Sequence, residues 1–243
     1  MSSSAEHVGS FCRRAWLCGT ATALLRIPAA AQTPMRLSPP RDPPADPGLQ
    51  LLLARMRKIV DSRDATALAA LLSPTFRVEF DAGKGPQAFR RHWKPETRES
   101  PVWEVLGSAL AVQGAFCLPS LFCLPYVYLK FPRDLDPLAY VVAVSAGATL
   151  RKRPDTDGAV VGRLDHSIIR VSEPLVSPVI IPSNKFLAVD DATAGHCYIA
   201  GSDVYSPAAH RMFFERANGK WRWISLVAAT FDAMPLKRQT GEG

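Results

Sequence analysis

Asn218-Gly219 is the dipeptide that most constrains this chain. It lies between Arg211–Ala217 and Lys220–Ala228, two runs rich in aromatic and apolar residues. A two-residue hairpin loop of type I′ needs positive φ at both central positions, and Asn-Gly accepts that conformation at least cost. A tight antiparallel hairpin is therefore predicted. Pairing outward from the turn sets Arg216 opposite Trp221, Glu215 opposite Arg222, Phe214 opposite Trp223 and Phe213 opposite Ile224. These pairs offer a cation–π contact, an ion pair and aromatic packing. Each contributes roughly 0.2–1 kcal/mol, too little for an isolated hairpin, so a second layer must cover one face.

The segment Leu49–Leu72 can supply that layer. Leu49, Leu52, Leu53, Met56, Ile59 and Val60 recur at helical spacing, with Arg55, Arg57 and Lys58 on the other side. Asp64 is placed to cap a second short helix, which Ser73-Pro74 ends. Phe76, Val78 and Phe80 alternate as a half-buried strand, Pro86 opens a helix carrying Phe89 and Trp93, and Val102–Val112 reads as another. Tyr126–Phe131 is a strand or an extended crossing. From Tyr140 to Ile199 the pattern changes to short apolar strands, at 140–144, 148–150, 159–164, 168–171, 186–189 and 197–199, broken by Gly, Pro and Asp turns. Such spacing predicts a small β-barrel. The long loop Glu173–Ser183 carries Pro174, Pro178 and Pro182.

The N-terminal end reads as an export signal. Arg13 and Arg14 precede the apolar run Ala15–Leu25, and Ala29 and Ala31 offer small residues at a cleavage site before Gln32. Both a twin-arginine signal and an ordinary secretory signal fit, and either places the protein in the periplasm or outside the cell. No later stretch is long and apolar enough for a membrane span. Six prolines between Gln32 and Gly48 then suggest an extended linker. The net charge of +7 falls to +5 without residues 1–31, which hold three arginines and one glutamate. That mild, diffuse excess suits an anionic wall surface and does not support nucleic-acid binding. Of five cysteines, Cys117, Cys123 and Cys197 lie beyond the signal. One disulfide plus one buried thiol is the simplest accounting in an oxidising compartment, and Cys117–Cys123 is the nearest pair.

Val141–Leu164 resembles the bacterial Src-homology-3-like repeat through Val142, Leu150, Arg151, Pro154, Val160, Val161, Gly162 and Leu164. Phe186–Val189 and Cys197-Tyr198-Ile199 stand where the repeat has its later strands, with Phe for a usual Trp and Cys for a usual Gly. The order of features from Ser73 to Ala229 is similar to a group of exported bacterial Src-homology-3-domain proteins of unknown function, with His210 where an aromatic is expected. The helices and Trp hairpin also resemble the nuclear-transport-factor-2-like α+β roll. The resemblance implies an α+β chain: a small Src-homology-3-like barrel combined with, or inserted into, a helix-plus-hairpin unit. The expected division is an export signal at 1–31, a Pro-rich linker at 32–48, an α+β unit at 49–138, the barrel at 139–206, the hairpin at 207–232 packing on 49–138, and a flexible tail at 233–243.

No catalytic constellation emerges. His196 and Cys197 are adjacent on a strand and point to opposite faces, so one cannot activate the other. Zinc needs closely spaced ligand pairs that are missing, and Gly83-Lys84-Gly85 lacks the phosphate-loop spacing. Neither a metal nor a cofactor is expected. Glu79, Asp81, Asp190 and Asp191 read as solvated carboxylates. Arg151, Lys152 and Arg153 form the densest basic cluster, which reads first as a solvated turn paired with Asp155 or Asp157 and otherwise as a phosphate or carboxylate contact. Phe186, Tyr198 and Tyr205 are the aromatic candidates for a ligand groove. The expectation is an exported, non-enzymatic binding module that recognises a cell-wall polymer or an envelope protein. The alternative is a small-ligand or enzymatic roll whose pocket is walled by Trp93, Trp103 and Trp221.

Overall fold

The computed structural model describes residues 35–42, 44–79, 82–176 and 179–228. The expected signal with Arg13, Arg14, Ala29 and Ala31, the tail at 233–243, and the positions of Phe80 and Asp81 lie outside the described residues.

Helix α1 (Pro47–Ser62) starts at Asp46, whose carboxylate accepts the N–H groups of Gly48 and Leu49 at 2.9 and 3.2 Å. Those are donors that the helix itself cannot satisfy. Its apolar stripe buries Leu49, Leu53, Met56, Ile59 and Val60. Helix α2 (Ala65–Ala69) is capped by Asp64, which accepts from the Ala67 N–H at 2.8 Å. Helices α3 (Gly85–Trp93) and α4 (Val102–Ala111) complete this layer. Tyr126–Phe131 is not extended: Val127–Lys130 forms a helical turn, α5, against strand β2 (Leu121–Leu124).

Two antiparallel sheets make the fold α+β. The smaller joins β1 (Ala115–Leu118), β2, β10 (Arg211–Ala217) and β11 (Lys220–Val227), in that order. Strands β3 (Tyr140–Ala143), β4 (Ala146–Arg151), β5 (Val160–Asp165), β6 (Ile168–Val171), β7 (Phe186–Asp191), β8 (Gly195–Ala200) and β9 (Val204–Tyr205) form the larger. Their order is β5-β4-β8-β7-β6-β3-β9. The expected small barrel does not close, because β5 and β9 remain the two edges of an open sheet. All of β3–β9 lies in sequence between β2 and β10, which pair directly through Leu124↔Met212, Cys123↔Phe213 and Phe122↔Phe214.

The C-terminal hairpin turns through Asn218 (φ 50°) and Gly219 (φ 74°). Arg216, Glu215 and Phe214 face Trp221, Arg222 and Trp223 as the turn requires. A bulge then shifts the register, so Phe213 stands opposite Ser225 instead of Ile224. The expected side-chain contacts are also redistributed. Arg216 pairs with Asp46 at 3.4 Å, tying the hairpin to the start of α1. The Trp223 indole turns inward, edge-on to Phe76 at 4.6 Å and to Phe89 at 6.0 Å. Phe76, Phe89, Phe122, Phe214 and Trp223 are each at most 1 % exposed and fill the space between hairpin and helices. The strand expected at 76–80 shrinks to bridges at Arg77, which exchanges backbone bonds with Ile224 and Leu226 at the β11 edge.

Over its described part the Pro-rich segment is docked, not a free spacer. Arg36 bridges Ser167, and the Leu37 N–H and Met35 carbonyl bond His166 and Ile168. Buried Leu37 accepts from the Tyr126 hydroxyl at 2.7 Å, and Arg36 pairs with Asp165 at 3.1 Å.

Candidate functional site

Directly paired residues in an antiparallel sheet share a face. In the larger sheet, Leu150↔Ile199 and Val189↔Cys197 point inward and are fully buried or nearly so. The alternate pairs, Arg151↔Tyr198, Ala188↔Tyr198 and Arg170↔Asp190↔His196, therefore point outward. Phe186 lies on that outward face two residues from Ala188. Three of the five sequence-predicted ligand residues, Arg151, Tyr198 and Phe186, thus meet on one surface. Tyr198 and Phe186 are half-buried, and the His196 ring stands edge-on to Tyr198 at 5.4 Å.

Arg151 and Arg153 fare differently. Arg151 donates to the Gly158 carbonyl at 2.8 Å, which holds its stem across the turn beside Tyr198. Arg153 reaches away, pairs with Asp155 at 3.3 Å and leaves 69 % of its side chain in solvent, so it does not join this surface.

A Ser–His–Asp group borders the same face. Ser172 Oγ and Asp190 Oδ1 lie 3.1 and 3.2 Å from His196 Nδ1, and Ser172 donates to Asp190 at 3.0 Å. The hydrogen bonds from His196 and then Ser172 hold the Asp190 carboxyl below its ordinary value. A hydrolytic relay needs nucleophile and carboxylate on opposite ring nitrogens. Here both crowd Nδ1, so the group is a fixed polar edge and not a relay. Cys197 points into the core, where burial pushes its thiol up, while His196 faces solvent.

Tyr205 is elsewhere. It is 6 % exposed, and its hydroxyl donates to the His210 carbonyl. Burial pushes that hydroxyl well above its ordinary value. It forms part of the floor of a cleft of about 420 Å³ between α4 and the β3–β9 end of the larger sheet. Val105, Val144 and Ile181 make apolar walls, and Ser145, Ser206 and His210 add polar groups. None of Trp93, Trp103 and Trp221, expected as pocket walls, lines this cleft, and Trp93 and Trp103 are core residues at 5 and 4 % exposure.

Sequence reasoning missed the cluster below that floor. Glu79 is not a solvated carboxylate. It receives the His210 Nε2 at 3.0 Å and the Ala228 N–H through both oxygens at 3.1–3.2 Å. The Trp93 ring stands edge-on to His210 at 5.1 Å. The buried Arg211 stacks its guanidinium 3.8 Å over the Tyr128 ring. His210 in place of an aromatic was the one sequence sign of this cluster. Its partner Glu79 precedes all of β1–β9 in sequence, beyond the reach of local patterns.

Cys117 and Cys123 are both free thiols. Among the described residues no three His, Cys, Asp or Glu side chains gather as metal ligands, and no helix is long and apolar enough to cross a membrane. No protein-family model matches the chain, nor does any curated protein or solved structure.

Proposed function

We propose that this protein is an exported, non-enzymatic binding module of Src-homology-3-like descent, whose larger sheet presents its outward face to a cell-envelope component. The observation that carries the reading is the register match of Arg151 with Tyr198, beside Phe186 and the Asp190–His196 pair. A half-buried aromatic flanked by a cation and a fixed polar edge suits a sugar ring bearing acidic or amide substituents, as in a wall polymer. The barrel affinity is supported by the succession of antiparallel partners β4-β8-β7-β6 and the 3-10 turn at Gly201–Asp203 before β9. The export signal and the mildly basic charge favour an envelope partner over nucleic acid.

The test is co-sedimentation of residues 32–243 with isolated peptidoglycan sacculi at low and high salt. The reading expects retention that survives high salt and falls for Tyr198→Ala and for Arg151→Ala, with Arg153→Ala unchanged. Retention lost in modest salt, or equal for all three variants, reduces it to adhesion of a basic surface.

A second reading rests on the cleft. Its size falls in the range of small-molecule sites, and its serines, Glu104 and His210 line a largely apolar space. Retention of a hydrophobic ligand by the protein, abolished by Ala209→Trp, would favour this site over the outer face.

A further inference from the structure

Strand β1 is an edge of the smaller sheet, and a bulge between Phe116 and Leu118 interrupts its pairing with β2. Ala115 pairs with Cys123 and Phe116 with Phe122, so a regular ladder would carry Cys117 past the Cys123 side chain. The bulge shifts Cys117 from that regular position, and it packs in one apolar cluster with Cys123, Leu121, Tyr128 and Phe213. The two environments are unequal. Cys117 is half-buried at the edge, while Cys123 is sealed on the β10 side by its pairing with Phe213. Two residues before Phe213, the β10 partner of Cys123, stands Arg211, 5 % exposed and stacked on Tyr128, whose Nε meets no acceptor among the described residues.

From this arrangement we infer that Cys117 and Cys123 form a thiol–disulfide exchange site, with Cys117 the attacking sulfur, Cys123 the resolving sulfur and Arg211 the cation that stabilises the resolving thiolate. The oxidant is a low-molecular-weight disulfide. The Cys117 thiolate attacks one of its sulfurs, a Cys117 mixed disulfide forms, and the first thiolate leaves and takes a proton. Cys123 then gives up its proton, attacks the Cys117 sulfur and expels the second thiolate, which takes that proton. One intrachain disulfide and two small thiols result; the protein loses two electrons and the small disulfide gains them. Acidity runs the same way. The hydrogen bond from Cys123 holds the Cys117 thiol below its ordinary value, and burial pushes the Cys123 thiol well up. The accessible, more acidic thiol attacks, and the buried one needs the guanidinium. The inference does not depend on what the outer sheet face binds.

The reduced full chain is titrated with oxidised glutathione, quenched in acid, alkylated and mapped by mass spectrometry, which follows Cys12 and Cys18 separately. The expected product is a Cys117–Cys123 bond with Cys197 alkylated throughout. Cys123→Ser should accumulate the glutathione adduct on Cys117. Arg211→Met should slow ring closure on the order of tenfold while the adduct forms at the native rate. If Arg211→Met does not fold, mapping of the native chain and of Cys123→Ser still decides. A persistent adduct on native Cys117, preferential reaction of Cys197, or no reaction at either strand cysteine overturns the inference.

Discussion

Glu79 and His210 meet at 3.0 Å beneath the cleft floor, and the same carboxylate also receives the Ala228 N–H at the end of β11. One side chain therefore joins the turn after α2, the start of β10 and the end of β11. Burial alone would raise the Glu79 carboxyl, but the hydrogen bonds from His210 and from Ala228 hold it below its ordinary value. A depressed carboxyl stabilises the fold above its unfolded pKa of about 4.3, and that contribution is lost as pH falls through the folded value. Glu79→Gln should cost about 1–3 kcal/mol at pH ~7. Urea unfolding at pH ~7 and pH ~4 should show the gap between variant and native narrowing in acid. An equal gap at both values would remove this pair from the account of acid stability.

Gly219 sits at φ 74° with nothing within 4 Å of where a side chain would begin, so backbone conformation alone decides its tolerance. Gly219→Val should destabilise by about 1–2 kcal/mol, the cost of a left-handed non-glycine residue. Gly219→Asn should be nearly neutral. Thermal unfolding of both variants separates conformation from simple loss of glycine.

Gly114 presents the opposite case. A methyl group there would lie 2.6 Å from the Cys123 carbonyl oxygen and closer still to the Phe122 ring. Both neighbours are locked in β2, so Gly114→Ala should cost about 1–3 kcal/mol through overpacking. Hydrogen exchange should show the loss concentrated in β1 and β2. A uniform change across both sheets would contradict this local origin.

Tyr126 holds the Pro-rich segment through its hydroxyl, which donates to the Leu37 carbonyl and is itself pushed up to about 12 by burial. Tyr126→Phe should cost about 0.5–1.5 kcal/mol and make bonds near residues 35–42 more sensitive to limited proteolysis. Unchanged cleavage would mean that the bridge between Arg36 and Ser167 is sufficient to hold the strap.

What the sequence revealed follows the range of each interaction. The Asn218-Gly219 turn was legible because its conformational demand is met by two adjacent residues. The bulge at Phe213 was not, because Phe213 packs on Tyr128 at 6.0 Å and pairs with Cys123, both on the far side of the larger sheet in sequence. Asp64 and Asp46 lie beside the donors that they cap, but only Asp64 was recognised; the prolines around Asp46 suggested a linker. Arg151 and Tyr198 were each selected by residue type, and only the strand register could show that they face one another. Tyr205, selected on the same grounds, belongs to the cleft. Closure of the larger sheet was not legible, because strand length and spacing are alike in open and closed sheets, and closure depends on whether the two edges pair.

The pairing of Leu124 with Met212 spans 212 − 124 = 88 positions, and all of β3–β9 lies inside that span. A flexible loop of that length would place the smaller sheet among slow, non-local assemblies. Within the enclosed segment β4–β5 and β7–β8 are local hairpins, which can order first and shorten the effective loop before β2 and β10 meet. The larger sheet then acts as a folding template for the smaller. Damage to its inner positions, such as Leu150 or Ile199, would appear first as a slower closure of the β2–β10 seam, in a different sheet from the substitution.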